Sequence, residues 1–258
     1  MITKEKTYLN YERLIKDETV IQLIDVNKSF GNNHVLKHVN LNLNKGENLV
    51  VLGKSGSGKS VLIKCIIGLI KPDSGCINVF GKNIPDMDHA QLDKLRAKVG
   101  FLFQSNALYD SMSVRENLEF PLRRHAANLS SKKLNELVLE ALKNVGLEHT
   151  IEMKPSELSG GMKKRIALAR TLILKPEIIL YDEPTAGLDP ITSKEISMLM
   201  RKLSKKYNTS SIIISHDMNC VKITSDRIVV LMDGNCLIQG NYEQLKNSKD
   251  PIAYNFFK

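Results

Sequence analysis

The most chemically specific stretch of the sequence is a run of glycine, serine and lysine that follows a short apolar segment. Leu49–Leu52 predicts a buried strand, and the next eight residues fill every fixed position of the pattern G-x-x-x-x-G-K-[ST]. These residues are Gly53, Lys54, Ser55, Gly56, Ser57, Gly58, Lys59 and Ser60. Glycines and small serines let the backbone wrap closely around a polyphosphate, with its N–H groups pointing inward. The sequence therefore predicts a phosphate-binding loop.

A helix expected over residues 60–69 strengthens this prediction. Its N-terminus would direct the positive end of the helix dipole at the phosphates. Lys59 supplies a cation for the terminal phosphates, and the Ser60 hydroxyl is suited to Mg²⁺. Kinases, GTPases, helicases and transporters share such a loop, so the remaining motifs have to decide among these classes.

A second pair of glycines stands at another predicted helix N-terminus. Leu158–Arg165 reads L-S-G-G-M-K-K-R and leads into an apolar periodic segment that stops before Pro176. Ser159 is the expected N-cap, with Gly160 and Gly161 after it. One chain thus carries two candidate anion-binding helix termini.

Two further apolar runs end in side chains that can do acid–base chemistry. Ile178–Asp182 predicts a buried strand ending in a carboxylate, and Glu183 follows it. Residues 211–215 predict another buried strand, and His216 follows that one. Alone, an Asp-Glu pair would describe a surface turn and a single histidine a structural role. Beside the two glycine motifs, both become candidates for the chemistry of a bound nucleotide.

In this order, the motifs resemble those of the ATP-binding-cassette (ABC) ATPases over about residues 20–240. The family signature is usually L-S-G-G-Q, and this sequence has Met162 in the last place. The resemblance implies that Ser159, Gly160 and Gly161 reach ATP held by the loop of a second chain. Two chains would then lie head to tail and bury two ATP molecules between them.

The resemblance also implies roles for individual residues. Asp182 would hold Mg²⁺ through water, and Glu183 would polarise the attacking water. Gln104, after the strand-like Val99–Phe103, matches the Q-loop that senses Mg²⁺ and the membrane subunit. His216 matches the residue that contacts the γ-phosphate. A further match, in the D-loop, places Asp189 near the dimer interface.

The expected fold is α/β, with a RecA-like P-loop core, an antiparallel β subdomain and an inserted helical subdomain. Val20–Val51 and Cys76–Phe80 would form the antiparallel sheet, and the helical insert would span about residues 105–175. Phe30 stands where the family places an aromatic ring that stacks on adenine. Residues 1–19 are interpreted as an N-terminal appendage and residues 241–258 as a C-terminal tail.

Composition sets broader limits. No apolar run approaches the length of about 18 residues needed to cross a membrane, and no secretory signal is evident, so we expect the protein to remain where it is made. The four cysteines are scattered and suit a reducing compartment. A formal charge of +9 is compatible with an anionic membrane surface, with nucleic acid or with a lysine-rich solvated surface.

Three segments resemble a narrower group, the Mla/Mkl-type ATPases. They are Phe101–Arg123, Gly160–Arg165 and Leu180–Thr192. Those ATPases energise phospholipid trafficking with a permease and an MCE-domain lipid carrier. The resemblance implies an ATP- and Mg²⁺-dependent homodimer, peripheral on the cytoplasmic face of a membrane, with those partners and without a nucleic-acid ligand.

Other ABC systems remain alternatives: lipoprotein release, cell division and solute import. Those families usually carry Glu or Gln where this chain has Met162, and a different run after Gln104. A soluble ABC ATPase of DNA repair or translation is a third interpretation. It is disfavoured because the chain has neither a long coiled-coil insert nor a second cassette.

Overall fold

A computed structural model describes residues 19–126 and 129–257. The first sheet contains β1 (Thr19–Phe30), β2 (Asn33–Asn44), β4 (Ser74–Val79) and β5 (Lys82–Asn83). Its strand order is β2-β1-β4-β5, and all neighbouring strands are antiparallel. Inward-facing residues of β1, such as Ile21 and Leu23, are buried, which is typical of a sheet with one face on a core.

The second sheet contains β3 (Asn48–Leu52), β6 (Val99–Leu102), β7 (Ile178–Asp182), β8 (Ser210–Ser215), β9 (Arg227–Met232) and β10 (Asn235–Gly240). Its order is β10-β9-β3-β8-β7-β6, with only β10 antiparallel to its neighbour. Every residue of β3, β7 and β8 is buried, as continuous apolar runs predict for strands covered on both faces. The expected P-loop core with a separate antiparallel sheet is confirmed.

One predicted boundary was wrong. We expected the antiparallel sheet to continue to Val51, but Asn48–Leu52 pairs in parallel with β8 and β9. Strands of the first sheet bury one face only, whereas all five residues of β3 are buried, because this strand has cores on both sides. Val50 and Leu52 face one core and Leu49 and Val51 the other.

The helices are α1 (Lys59–Ile66), α2 (His89–Arg96), α3 (Val114–His125), α4 (Ser131–Val145), α5 (Gly160–Leu172), α6 (Pro190–Tyr207), α7 (Met218–Thr224), α8 (Tyr242–Lys246) and α9 (Pro251–Phe257). Short 3-10 helices cover Ile84–Asp86, Glu148–Thr150 and Pro155–Glu157. Helices α3, α4 and α5 lie within the segment predicted to be a helical insert, and they pack with one another. No described helix is long and apolar enough to span a membrane.

The structure describes the two predicted appendages to different extents. Thr19 already belongs to β1, and residues 1–18 lie outside the described part. At the other end, residues 241–257 contain α8 and α9, where Leu245 and Ala253 are buried. Tyr242, Ile252, Phe256 and Phe257 pack against the core cluster. The C-terminal segment is therefore part of the packed domain, because its apolar side chains cover the core.

Candidate active site

The glycine-rich loop joins the end of β3 to the start of α1. Gly56 and Gly58 have φ of +80° and +98°, a region that other residues adopt with strain. A Cβ on Gly58 would lie 2.8 Å from the Val35 carbonyl oxygen, and one on Gly53 would lie 2.3 Å from that of Leu231. These close approaches are why only glycine fits at 53 and 58.

The lysine of the loop is held inside it. Lys59 is 6% exposed, and its Nζ donates to the carbonyl oxygens of Gly53 and Lys54, both at 2.8 Å. Burial lowers the pKa of Lys59, while the nearby carboxylates of Glu183 and Asp182 act in the opposite direction. A cation is thus held at the loop where the sequence predicts terminal phosphates.

Ser60 and Asp182 meet at the carboxyl edge of the parallel sheet. Ser60 Oγ, in the first turn of α1, donates to Asp182 Oδ1 at the end of β7, over 2.9 Å. Hydroxyl and carboxylate oxygens suit Mg²⁺, which typically keeps only one or two protein ligands beside phosphates and water. Within residues 19–126 and 129–257, no group of three or more His, Cys, Asp or Glu side chains is arranged to hold a metal.

Glu183 follows β7 in an uncommon backbone conformation, with φ of +47°. Its N–H donates to the Ile214 carbonyl of the neighbouring strand β8 over 3.0 Å, and this bond fixes the turn. The side chain reaches the residue after β8, where Glu183 Oε2 lies 2.9 Å from His216 Nδ1. The carboxylate is mostly buried, whereas the His216 side chain is 68% exposed. A carboxylate paired with an imidazole in this way can accept a proton from water.

The predicted signature residues stand at the N-terminus of α5. Ser159 is the N-cap, as the sequence predicted, and its Oγ accepts from the Met162 N–H over 3.2 Å. Ser159 and Gly160 are exposed. A Cβ on Gly161 would lie 2.8 Å from Thr192 Cγ2 of α6, so a glycine lets the two helices approach each other.

Asp189 has a local role that sequence reasoning missed. Its Oδ1 accepts from the N–H groups of Ile191 and Thr192, both at 3.0 Å, and caps α6. Hydrogen bonds from the Thr192 side chain and backbone, with a smaller one from Ile191, lower the pKa of the exposed Asp189 carboxyl. Asp followed by Pro190 at the first helical position is a recognised cap signal and would have revealed this role.

Two other predicted residues lie at the ends of strands. Gln104 is exposed, just after β6, and its backbone oxygen accepts from Lys164 Nζ of α5 over 3.1 Å. Phe30 ends β1 with 50% of its surface exposed, and Lys28 Nζ lies 5.3 Å from its ring centroid. An exposed ring of this kind is free to stack on a planar ligand.

The structure thus links part of the predicted site within one chain. The glycine-rich loop touches Asp182 through Ser60, and Glu183 touches His216. Ser159, Gly160 and Asp189 are exposed instead. The side chains of Ser159 and Asp189 accept hydrogen bonds from the first turns of their own helices, and Gly160 lies near an adjacent side chain. Lys164, which touches the Gln104 backbone, was missed, although a lysine among the apolar positions of a helix is a visible signal.

Comparison with known proteins places the chain in a family. The profile described as ABC transporter matches residues 36–186. Protein TRIGALACTOSYLDIACYLGLYCEROL 3 of Arabidopsis thaliana is 38% identical, covering 99% of this chain and 79% of its own length. The Haemophilus influenzae intermembrane phospholipid transport system ATP-binding protein MlaF is 35% identical, over 94% of this chain and 91% of MlaF.

Relatives with other names are similarly close. The ribonucleotide transport ATP-binding protein mkl of Mycobacterium leprae is 37% identical over 92% of this chain and 68% of its own length. The methionine import ATP-binding protein MetN of Clostridium tetani is 38% identical over 83% of this chain and 67% of its own.

A solved structure supplies a nucleotide-bound reference. A dimeric ATP-binding cassette in a post-hydrolysis state with ADP and Pi has a TM-score of 0.78 and 35% identity, and the match covers 86% of this chain and 98% of that one. The family profile, these relatives and this fold agree with the glycine-rich loop, the two carboxylates and the histidine described above. The chain belongs to the ABC transporter family as an ATP-binding subunit that hydrolyses ATP.

Proposed function

We propose that this subunit powers the transport of phospholipid between membranes, in a system with a membrane permease and an MCE-type lipid carrier. The observation that carries the proposal is the similarity to MlaF, which spans 94% of this chain and 91% of MlaF. The Phe101–Arg123 segment, one of the three that resemble that group, contains the end of β6, the loop after it and most of α3. These elements surround Gln104, the residue expected to sense the permease.

Solute import is the second candidate. MetN, named for methionine import, is 38% identical to this chain, and mkl is named for ribonucleotide transport. The sequence identities to MlaF, MetN and mkl are too similar to decide by themselves which cargo this subunit serves. Coverage favours the MlaF comparison, because MetN matches 83% of this chain against 94% for MlaF.

Within the nucleotide site, we assign the P-loop, Gly53–Ser60, to the phosphates and Phe30 to the adenine ring. Mg²⁺ would bind between Ser60, Asp182 and Gln104, all of which offer oxygen atoms, the type of ligand it prefers. The ion would neutralise charge developing on the phosphates.

Glu183 is assigned the role of general base. Its mostly buried carboxylate is fixed by a backbone hydrogen bond from its own N–H and by the contact with His216. His216 is exposed enough to reach a γ-phosphate bound at the loop. The pair would orient an attacking water and receive its proton.

A second copy of the chain completes the proposed site. Ser159, Gly160, Gly161 and Asp189 would contact ATP held by the partner's P-loop in a head-to-tail homodimer. Support comes from the exposure of Ser159 and Gly160 and from the dimeric ATP-binding cassettes that share the fold. We place this dimer on the cytoplasmic face of the membrane, against the permease.

The cargo assignment is tested by purifying the tagged full-length protein with its native membrane partners and identifying the co-purified proteins and lipids. An untagged strain provides the control for background lipid. A permease, an MCE-domain protein and phospholipid enriched over this control would support the proposal. A solute-binding protein in place of the MCE protein would contradict it and leave the ATPase assignment intact.

A further inference from the structure

A lysine is buried where an apolar side chain would be expected. Lys164 lies in the second turn of α5 and is 2% exposed, among neighbours such as Ile166 and Leu168 that are also buried. Its Nζ donates to the backbone oxygen of Gln104 over 3.1 Å. Burial lowers the pKa of Lys164 to about 8. Keeping an ammonium here costs desolvation free energy that an apolar residue would avoid. The contact with the Gln104 backbone is what Lys164 provides and an apolar residue could not.

Six residues further along α5, Arg170 holds residues 106 and 107 in the loop between β6 and α3. Arg170 donates from Nη1 to the Ala107 oxygen over 2.8 Å and from Nη2 to the Asn106 oxygen over 3.1 Å. Asn106 and Ala107 have φ of +65° and +51°, so two consecutive non-glycine residues occupy the left-handed region. A single guanidinium thus fixes both peptide oxygens of the strained pair.

The far end of the loop is fixed from a different helix. Asn117 of α3 is fully buried and bonds to both backbone groups of Tyr109 and to the oxygens of Met112 and Ser113. Residues 109–113 are therefore anchored mainly to α3, although Arg170 of α5 also lies near the Tyr109 ring and Asn117. Residues 104–107 are anchored to α5. The segment nearest Gln104 depends on the helix that begins with the signature glycines.

We propose that Lys164 and Arg170 are positioning residues, which hold the backbone of residues 104–107 so that the Gln104 side chain points at the Mg²⁺ site. The inference rests on the role proposed for Gln104 above. Because both cations belong to α5, the orientation of Gln104 follows any movement of that helix. Displacement of a reacting or ligating group by about 1 Å can lower a rate about a hundredfold.

The test compares Lys164→Met with Gln104→Ala, measuring kcat, the KM for ATP and the Mg²⁺ requirement, which is the Mg²⁺ concentration that gives half-maximal binding of a slowly hydrolysed ATP analogue. Lys202→Met is the matched control, since Lys202 is an exposed lysine of α6 outside the site. We expect Lys164→Met to lower kcat about tenfold or more and to raise the Mg²⁺ requirement in the direction of Gln104→Ala, with the KM for ATP changed by less than about threefold. Arg170→Lys, which keeps the charge but shortens the side chain and loses the planar fork of the guanidinium, should shift the Mg²⁺ requirement in the same direction.

Each outcome decides the matter. A Mg²⁺ requirement in Lys164→Met equal to that of the control overturns the inference, whether or not the melting temperature falls, because loss of packing alone leaves that requirement unchanged. If Lys164→Met does not fold, Arg170→Lys is judged by the same criterion. An unchanged requirement in Gln104→Ala would instead refute the proposed role of Gln104, and the inference would fail with it.

Discussion

The two glycine-containing helix N-termini of this chain are built differently. At α1 the N-cap is Gly58, with φ of +98° and no side-chain cap, so the first N–H groups of the helix remain available to a ligand. At α5 the N-cap is Ser159, whose hydroxyl already accepts from the third N–H of that helix. The N–H groups at the α1 terminus therefore lack a side-chain acceptor and can bond to an anion, whereas at the α5 terminus Ser159 already accepts from one of the N–H groups.

Their surroundings differ in the same sense. Around α1, the chain itself provides Lys59, Asp182, Glu183 and His216. Lys59 bonds to the loop backbone, Asp182 to Ser60, and Glu183 to His216. Around α5, the predicted ligand-facing groups are exposed. In the dimer proposed above, the half of the nucleotide site around α1 is built within one chain, and the half around α5 would act on a nucleotide held by the other chain.

The largest expected effect on the rate of hydrolysis concerns the half of the site around α1. Glu183→Gln removes the base and keeps the shape, so we expect kcat to fall at least about a hundredfold while ATP binding is retained. Single-turnover hydrolysis and nucleotide binding would be measured on the same preparation. Hydrolysis near the unaltered rate would remove Glu183 from the role of base.

Lys59→Ala should instead act on binding. Loss of a cation that pairs with phosphate typically costs about 1.5–3 kcal/mol, which corresponds to a roughly 10- to 100-fold higher Kd for ATP. Calorimetry with a slowly hydrolysed analogue measures this directly, and Lys202→Met provides a lysine-to-apolar control. An unchanged Kd would mean that the loop binds phosphate through its backbone alone.

In the α5 half, the buried ammonium of Lys164 predicts a pH dependence of stability. Its pKa falls from an ordinary value of 10.5 to about 8 on folding, so between these values the unfolded chain carries a proton that the folded chain lacks. The free energy of unfolding of the parent should therefore rise relative to that of Lys164→Met as the pH increases from 8 to 10.5, by about 2–3 kcal/mol. Urea unfolding of the two proteins at several pH values would measure this difference. Parallel curves for the two proteins would contradict it.

The smallest effect concerns the helical insert, at Arg115 in the first turn of α3. The structure engages this side chain internally, because Arg115 bonds to Glu152 and Asn135. Arg115→Glu should lower the stability by about 1 kcal/mol, or the melting temperature by about 2–4 °C. Arg123→Glu is the control and should change less, because the Arg123 side chain is 65% exposed against 30% for Arg115 and its partner Glu119 lies within α3. Stability of Arg115→Glu equal to that of the parent would contradict the prediction.

The features that the sequence predicted are those encoded locally. The P-loop and the Asp-Glu pair after a buried strand are readable because each motif lies within a few consecutive residues. The pairing of β3 with β8 and β9 joins strands about 160–180 residues apart in the chain, and no local pattern reports which strands are neighbours. The contact between Lys164 and Gln104 spans 60 positions and likewise exists only after folding.

The central claim, that each nucleotide site takes one half from each of two chains, is tested most directly by a mixed dimer of Lys59→Ala and Ser159→Arg chains. Each homodimer has two damaged sites, whereas the mixed dimer has one site with both defects and one with none. Because the two sites of a symmetric dimer are equivalent, we expect the mixed dimer to recover up to roughly half of the unaltered ATPase activity from two nearly inactive preparations. Activity of the mixture equal to the mean of the two separate preparations would contradict the shared site.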